Sequence, residues 1–224
     1  MKTLIVKYLP NKRSRTKKLL DAFLEEVRDS EIEELDLCQD VPDLFSPEVL
    51  EAYFGRIIGA IPRGQPVPVL ARMDRMTAQL KSADIVVLAT PIYNFSLPAT
   101  VKAWFDSVML QGETFLPNPK GAFLGLMTGK KALALMTAFG TYSIGDGSMG
   151  SLFGPTYEHA MTLARLEFKF MGFSDIRGVL GEGMSPSKTE EAKVLLLDDA
   201  VALTRTISQE WYAREPLAEG LTLA

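Results

Sequence analysis

Residues 91–96, Pro-Ile-Tyr-Asn-Phe-Ser, bring together side chains that can hold a flat ring with polar edges. Tyr93 and Phe95 offer aromatic surface, Asn94 and Ser96 offer amide and hydroxyl groups, and the backbone adds N–H donors. A heterocycle of the flavin type suits such a set better than a sugar or a metal. A second group, Ser14-Arg15-Thr16, opens an amphipathic stretch. Hydroxyls and unpaired amides at a helix start form a phosphate site through the helix dipole, and Arg13 and Arg15 add positive charge beside it. The plainer reading is that Ser14 or Thr16 caps the helix and the basic run 12–18 is a solvated face. The loop contains neither the G-x-G-x-x-G pattern of dinucleotide folds nor a P-loop. A third stretch, the loop over 140–154, is rich enough in glycine to be mobile and to serve as a lid.

These three groups all follow strand-like runs. Residues 85–89, Ile-Val-Val-Leu-Ala, are apolar without interruption, as in a strand buried on both faces. Strands are expected over 3–8, 84–90, 132–137 and 176–180, with a short edge strand over 32–37. Between them, 3.6-residue spacing predicts helices over 14–28, 70–82, 98–110, 155–171 and 187–212, the last with Val194, Leu197, Val201, Thr204, Ile207 and Trp211 on one stripe. Residues 39–70 hold five prolines and read as an irregular insertion or lid with short helical pieces; the tail over 216–224 reads as frayed. Alternating strands and helices imply right-handed crossovers and a doubly wound parallel sheet. Five strands fit the order 2-1-3-4-5, in which ligands sit at the carboxyl ends of strands one and three. Residues 8–16 and 90–96 are those two ends.

With 224 residues the chain can bury one large core, so a single α/β domain over 1–224 is expected. A net charge of −4 speaks against a nucleic-acid partner, which needs a basic face. One cysteine, Cys38, and one histidine, His159, leave no disulfide and no Cys/His metal cluster. The opening residues lead into a strand without a leader pattern, and no apolar run is long enough for a membrane helix. A cytoplasmic protein without membrane contact is expected. His159, Cys38, Trp104 and Phe105 read as structural residues, and Asp198-Asp199 as a solvated face.

The segment 91–95 is followed by Leu97-Pro98-x-x-x-Lys102-x-Trp104-Phe105-Asp106, then by Gly112-x-Thr114-Phe115, Thr128-Gly129-Lys130-Lys131 and Met171-Gly172-Phe173. In this set the chain resembles the FMN-dependent NADH:quinone oxidoreductases, or azoreductases, of the flavodoxin-like fold, over most of residues 1–185. The resemblance implies FMN as cofactor, NADH or NADPH as donor, and quinones or azo compounds as acceptors, without a protein nucleophile. It implies that Ser14 and Thr16, with the Arg15 amide, hold the phosphate. Pro91, Ile92, Tyr93, Asn94 and Phe95 would line the isoalloxazine, with Ala138, Phe139, Gly140 and Thr141 closing over its pyrimidine side. It also implies a homodimer in which Phe115 or the 116–125 loop reaches the partner's site. Two other readings stand beside it: a flavodoxin-like electron carrier, and a binding module that keeps the fold without reductase turnover.

Overall fold

The computed structural model describes residues 1–27, 30–62, 64–142, 158–185 and 188–213. Along the chain the elements are β1 (Lys2–Lys7), α1 (Arg15–Glu26), β2 (Glu31–Asp36), α2 (Pro47–Ile57), a 3-10 turn (Pro68–Leu70), α3 (Ala71–Ser82) and β3 (Ile85–Pro91). There follow α4 (Ala99–Val108), β4 (Phe115–Pro117), β5 (Phe123–Gly125), β6 (Lys131–Thr137), α5 (Ala160–Met171), β7 (Asp175–Gly181) and α6 (Glu190–Tyr212). The main sheet is parallel throughout, in the order β2-β1-β3-β6-β7. This is the expected 2-1-3-4-5 arrangement, with the short hairpin β4–β5 set apart from it.

The pleat divides each central strand between two cores. Leu4 and Val6 of β1, Val86 and Leu88 of β3, and Ala132, Ala134 and Met136 of β6 face α3, α4 and α5, where Met76, Leu80, Trp104, Phe105 and Phe168 are buried. The intervening residues Ile5, Ile85, Val87, Ala89, Leu133 and Leu135 face α1 and α6, against Leu19, Phe23, Leu197, Ile207 and Trp211. A period of two with both sets buried is why these strands read as unbroken apolar runs. β2 pairs on one side only and alternates partly, as an edge strand does.

Several expectations are corrected in detail. The stripe on α6 is formed by Lys193, Leu197, Ala200, Thr204, Ile207, Ser208 and Trp211, while Val194 turns outward, because helix phase over six turns follows 3.6 rather than the spacing chosen at its start. Residues 39–70 hold a full helix, α2, with Pro47 in its first turn and the Ser46 hydroxyl accepting from the Val49 N–H at 3.3 Å. The hairpin β4–β5 has no counterpart in the sequence reading: three-residue strands carry too little periodicity to announce themselves. It is closed by a turn in which Gly121, at φ +81°, donates to the Asn118 carbonyl, and it docks by backbone against the end of α5, with the Met127 N–H donating to the Met171 carbonyl at 2.8 Å. Helix α5 begins at Ala160, so Glu158 and His159, expected inside the helix, precede it; residues 155–157, most of the 140–154 loop and the tail over 216–224 lie outside the described residues. Among the described residues no helix is long and apolar enough to cross a membrane, and no group of three or more His, Cys, Asp or Glu could hold a metal ion.

Candidate active site

The order β2-β1-β3 makes the carboxyl ends of β1 and β3 the switch point of the sheet. The first turn of α1 stands there. Ser14 occupies the N-cap position but forms no side-chain cap bond; its N–H donates to the Asn11 carbonyl at 2.9 Å. Thr16 is fully buried, and its hydroxyl lies 2.7 Å from the Thr137 hydroxyl. Capping by either side chain, the plainer expectation, is therefore corrected: one hydroxyl makes no cap bond and the other is drawn into the sheet. The leading N–H groups of α1 have no acceptor within the helix, since no turn precedes them. Arg15 pairs with Glu190 at the start of α6. That guanidinium, followed by the Lys193 ammonium 3.0 Å away, holds the Glu190 carboxyl at about 2.

Beyond β3 the chain folds into a tight turn, with Tyr93 and Ser96 exchanging both backbone hydrogen bonds at 3.0 Å. Asn94 and Phe95 sit between them at φ +47° and +71°. Two consecutive positive φ angles are characteristic of a type I′ turn, for which glycine is the easy residue and phenylalanine a strained one. The turn is held at both ends: the Ile92 N–H donates to the Thr137 carbonyl at 2.9 Å, and the Phe95 carbonyl accepts from the His159 N–H at 3.0 Å. Tyr93, Asn94 and Phe95 are exposed at its tip. The Tyr93 ring meets Tyr8, the first residue past β1, edge to face with centroids 6.3 Å apart. Burial pushes the Tyr93 hydroxyl pKa up, with smaller pushes from Tyr8 and Cys38. Cys38 lies close to this pair, and burial raises its thiol pKa as well.

Residues 138–141 extend the chain past β6. Ala138 is buried, its N–H donating to the Gly181 carbonyl and its carbonyl accepting from the Met184 N–H, while Phe139 stands 70 % exposed. Gly140 accepts from the Gly183 N–H at 3.0 Å, and Thr141 borders a shallow cleft of about 300 Å³ with Glu182, Leu196 and Leu203. Phe115 is the outlier. It packs against Phe123 and Phe170, near the end of α5, where Ser174 bonds the residue preceding β6. That is the amino end of the strands, opposite the other candidates, so one chain does not bring Phe115 to them. A larger cavity of about 1000 Å³ lies between α2, α3 and residues 110–116, lined among others by the Arg56–Asp74 and Lys81–Glu113 ion pairs. It includes none of the candidate residues except as a neighbour of the hairpin, and every charge named on its wall is paired.

Two positions take structural parts in this site that the sequence reading did not place here. Thr137 looked like the end of a strand, and His159 contributes only its backbone; neither use leaves a side-chain pattern.

A family profile for the flavodoxin-like fold matches residues 1–202. The chain is 32 % identical over 171 residues to the FMN-dependent NADH:quinone oxidoreductase of Albidiferax ferrireducens, covering 75 % of this chain and 78 % of that one. The chain belongs to the flavodoxin-like FMN-dependent NADH:quinone oxidoreductase family. Among solved structures of this fold, an azoreductase from Bacillus anthracis superposes with a TM-score of 0.76 at 26 % identity, over 92 % of this chain and 99 % of that one. An FMN-dependent NADH-azoreductase from Bacillus anthracis, in complex with FMN, superposes with a TM-score of 0.79 over 95 % of this chain and the whole of the other. At 24 % identity this second likeness is one of fold.

Proposed function

We propose that the chain is an FMN-dependent NAD(P)H oxidoreductase that passes two electrons from a nicotinamide to quinones or azo compounds. The observation that carries the reading is the pairing at the switch point of a helix start with a strained, exposed polar-aromatic turn. The residues present suit a flavin mononucleotide. An anion finds the leading amides of α1 beside the Ser14 hydroxyl, and a ring finds Tyr93, Phe95 and the Asn94 amide, which has no hydrogen-bond partner among the described residues. When bound, FMN would supply the two-electron redox chemistry that links a nicotinamide donor to a quinone or azo acceptor.

The chain's own residues bind and orient. Ser14 and the amides of Arg15 and Thr16 would hold the phosphate; Thr16 would act through its amide, because its hydroxyl is engaged with Thr137. The Arg15 guanidinium is taken up by Glu190, so Arg15 would serve the phosphate through its backbone amide. Pro91, Ile92, Tyr93, Asn94 and Phe95 line the ring, with Tyr93 remaining a protonated donor at neutral pH because its pKa is raised further. Ala138, Phe139, Gly140 and Thr141 would close over the pyrimidine side.

A homodimer completes the assignment. Leu116, Phe123 and Leu124 on the hairpin and Leu166 on α5 are exposed, and Leu166 lies one turn before Phe170, whose ring is 5.2 Å from Phe123. An apolar patch of this kind favours a protein partner. A second copy seated on it would carry Phe115 toward the neighbouring site, the role one chain denies it. The single cysteine suits a reduced, cytoplasmic setting.

The test is an absorbance spectrum of the purified protein after incubation with FMN and desalting, followed by NADH oxidation with and without a benzoquinone. Retained flavin and quinone-dependent oxidation are expected. Flavin without turnover would mean an electron carrier, and no flavin uptake would overturn the reading.

A further inference from the structure

The last residue of β6 is connected to more of the site than any residue assigned to it above. Thr137 is nearly buried, and its carbonyl accepts from Ile92 at the entry to the 93–96 turn. Its hydroxyl meets Thr16 in the first turn of α1 at 2.7 Å, a contact between residues 121 apart in sequence. Its methyl group faces β7: a Cβ built on Gly181 would lie 3.3 Å from Thr137 Cγ2. The methyl lies on the glycine side and the hydroxyl on the α1 side, held there by its bond to Thr16. One side chain thereby sets the first turn of α1 relative to the ends of β3, β6 and β7.

Resting on the flavin reading above, we propose that Thr137 is a positioning residue for the phosphate end of the cofactor site. The Thr16–Thr137 bond places the leading amides of α1, which recognise a phosphate monoester, at a defined distance from the 91–96 turn, which receives the ring. Without the Thr137 hydroxyl, the buried Thr16 hydroxyl loses its partner, and the first turn of α1 shifts to satisfy it. Amides arranged around a phosphate tolerate such a shift poorly, whereas ring contacts made by the β3 turn are untouched, because the Thr137 carbonyl remains. The residue therefore governs selectivity for the phosphorylated flavin over the unphosphorylated one.

The experiment titrates the full-length chain, stripped of flavin, with FMN and separately with riboflavin, following flavin fluorescence. In Thr137→Val, FMN affinity is expected to fall roughly tenfold, the loss of about one hydrogen bond, with riboflavin affinity within about twofold of wild type. Thr137→Ser, which keeps the hydroxyl, should retain the wild-type FMN-to-riboflavin ratio, and Thr16→Val should repeat the selective loss from the other side of the bond. Equal losses for both flavins, no loss for either, or a serine variant behaving like the valine one would overturn the positioning role. Wild-type protein that binds neither flavin would instead overturn the flavin reading and this inference with it.

Discussion

Gly172 caps α5 at φ +98°, and its α-hydrogens point into the backbone of Gly125 at the end of β5. A Cβ at position 172 would lie 2.7 Å from the Gly125 carbonyl carbon and 2.9 Å from its oxygen. Both neighbours are main chain, so no side-chain rotation relieves the contact; the hairpin must move off the helix. In Gly172→Ala the left-handed backbone costs about 1–2 kcal/mol, offset by about 0.4–1 kcal/mol from the stiffer unfolded chain. The collision adds about 1–3 kcal/mol of overpacking. The sum is about 1–5 kcal/mol, centred on about 3 kcal/mol, or roughly 6–12 °C in Tm at that centre for a chain of this length. Gly129 provides an internal control: at φ +79° it has the same backbone demand, but nothing lies within 4 Å of its Cβ direction. Gly129→Ala should therefore lose no more than about 1–2 kcal/mol. Scanning calorimetry on the three proteins separates the two contributions. Equal Tm shifts for the two variants would refute the docking of the hairpin on the α5 cap, and with it the route by which Phe115 is held in place.

Two further outcomes follow from single side chains. Glu167 is buried 3.6 Å from Lys102, and burial, outweighing that ammonium, raises its carboxyl pKa above the ordinary 4.5. Its contribution to stability is full below the unfolded value and is lost as pH rises through the raised folded value. Glu167→Gln should thus gain stability relative to wild type between acid and neutral pH, read by denaturant melts at pH 4 and 7.5; an advantage that shrinks as pH rises would contradict the sign. Phe123 is 57 % exposed on the hairpin, so Phe123→Asp should convert a sedimenting dimer to a monomer and lower quinone turnover, while a wild-type monomer would remove the homodimer from the reading.

The parts legible in the sequence are those with a repeating signal. Val86 and Leu88 alternate with Ile85 and Val87, and both sets are apolar, so burial on two faces could be read directly. The helices between such runs then leave few topologies. The tip residues Tyr93, Asn94 and Phe95 stood out because aromatic and amide groups interrupt an apolar strand exactly where such sheets bind ligands. The hairpin at 115–125 was not legible, since three residues do not make a period and its stability comes from contact with Gly172.

Residue types and their spacing along the chain thus determined the strands, their parallel order and the switch point, because a doubly buried sheet forces a pattern on local sequence. Tertiary structure alone decided how the site is assembled. The Thr16–Thr137 hydrogen bond and the Phe95–His159 contact join residues 121 and 64 positions apart. Phe115 was sent to the far end of the sheet by the course of α4 and the docking of the hairpin. Such contacts depend on where folded elements meet, and a hydroxyl or a carbonyl that meets its partner only there leaves no periodic trace in the chain.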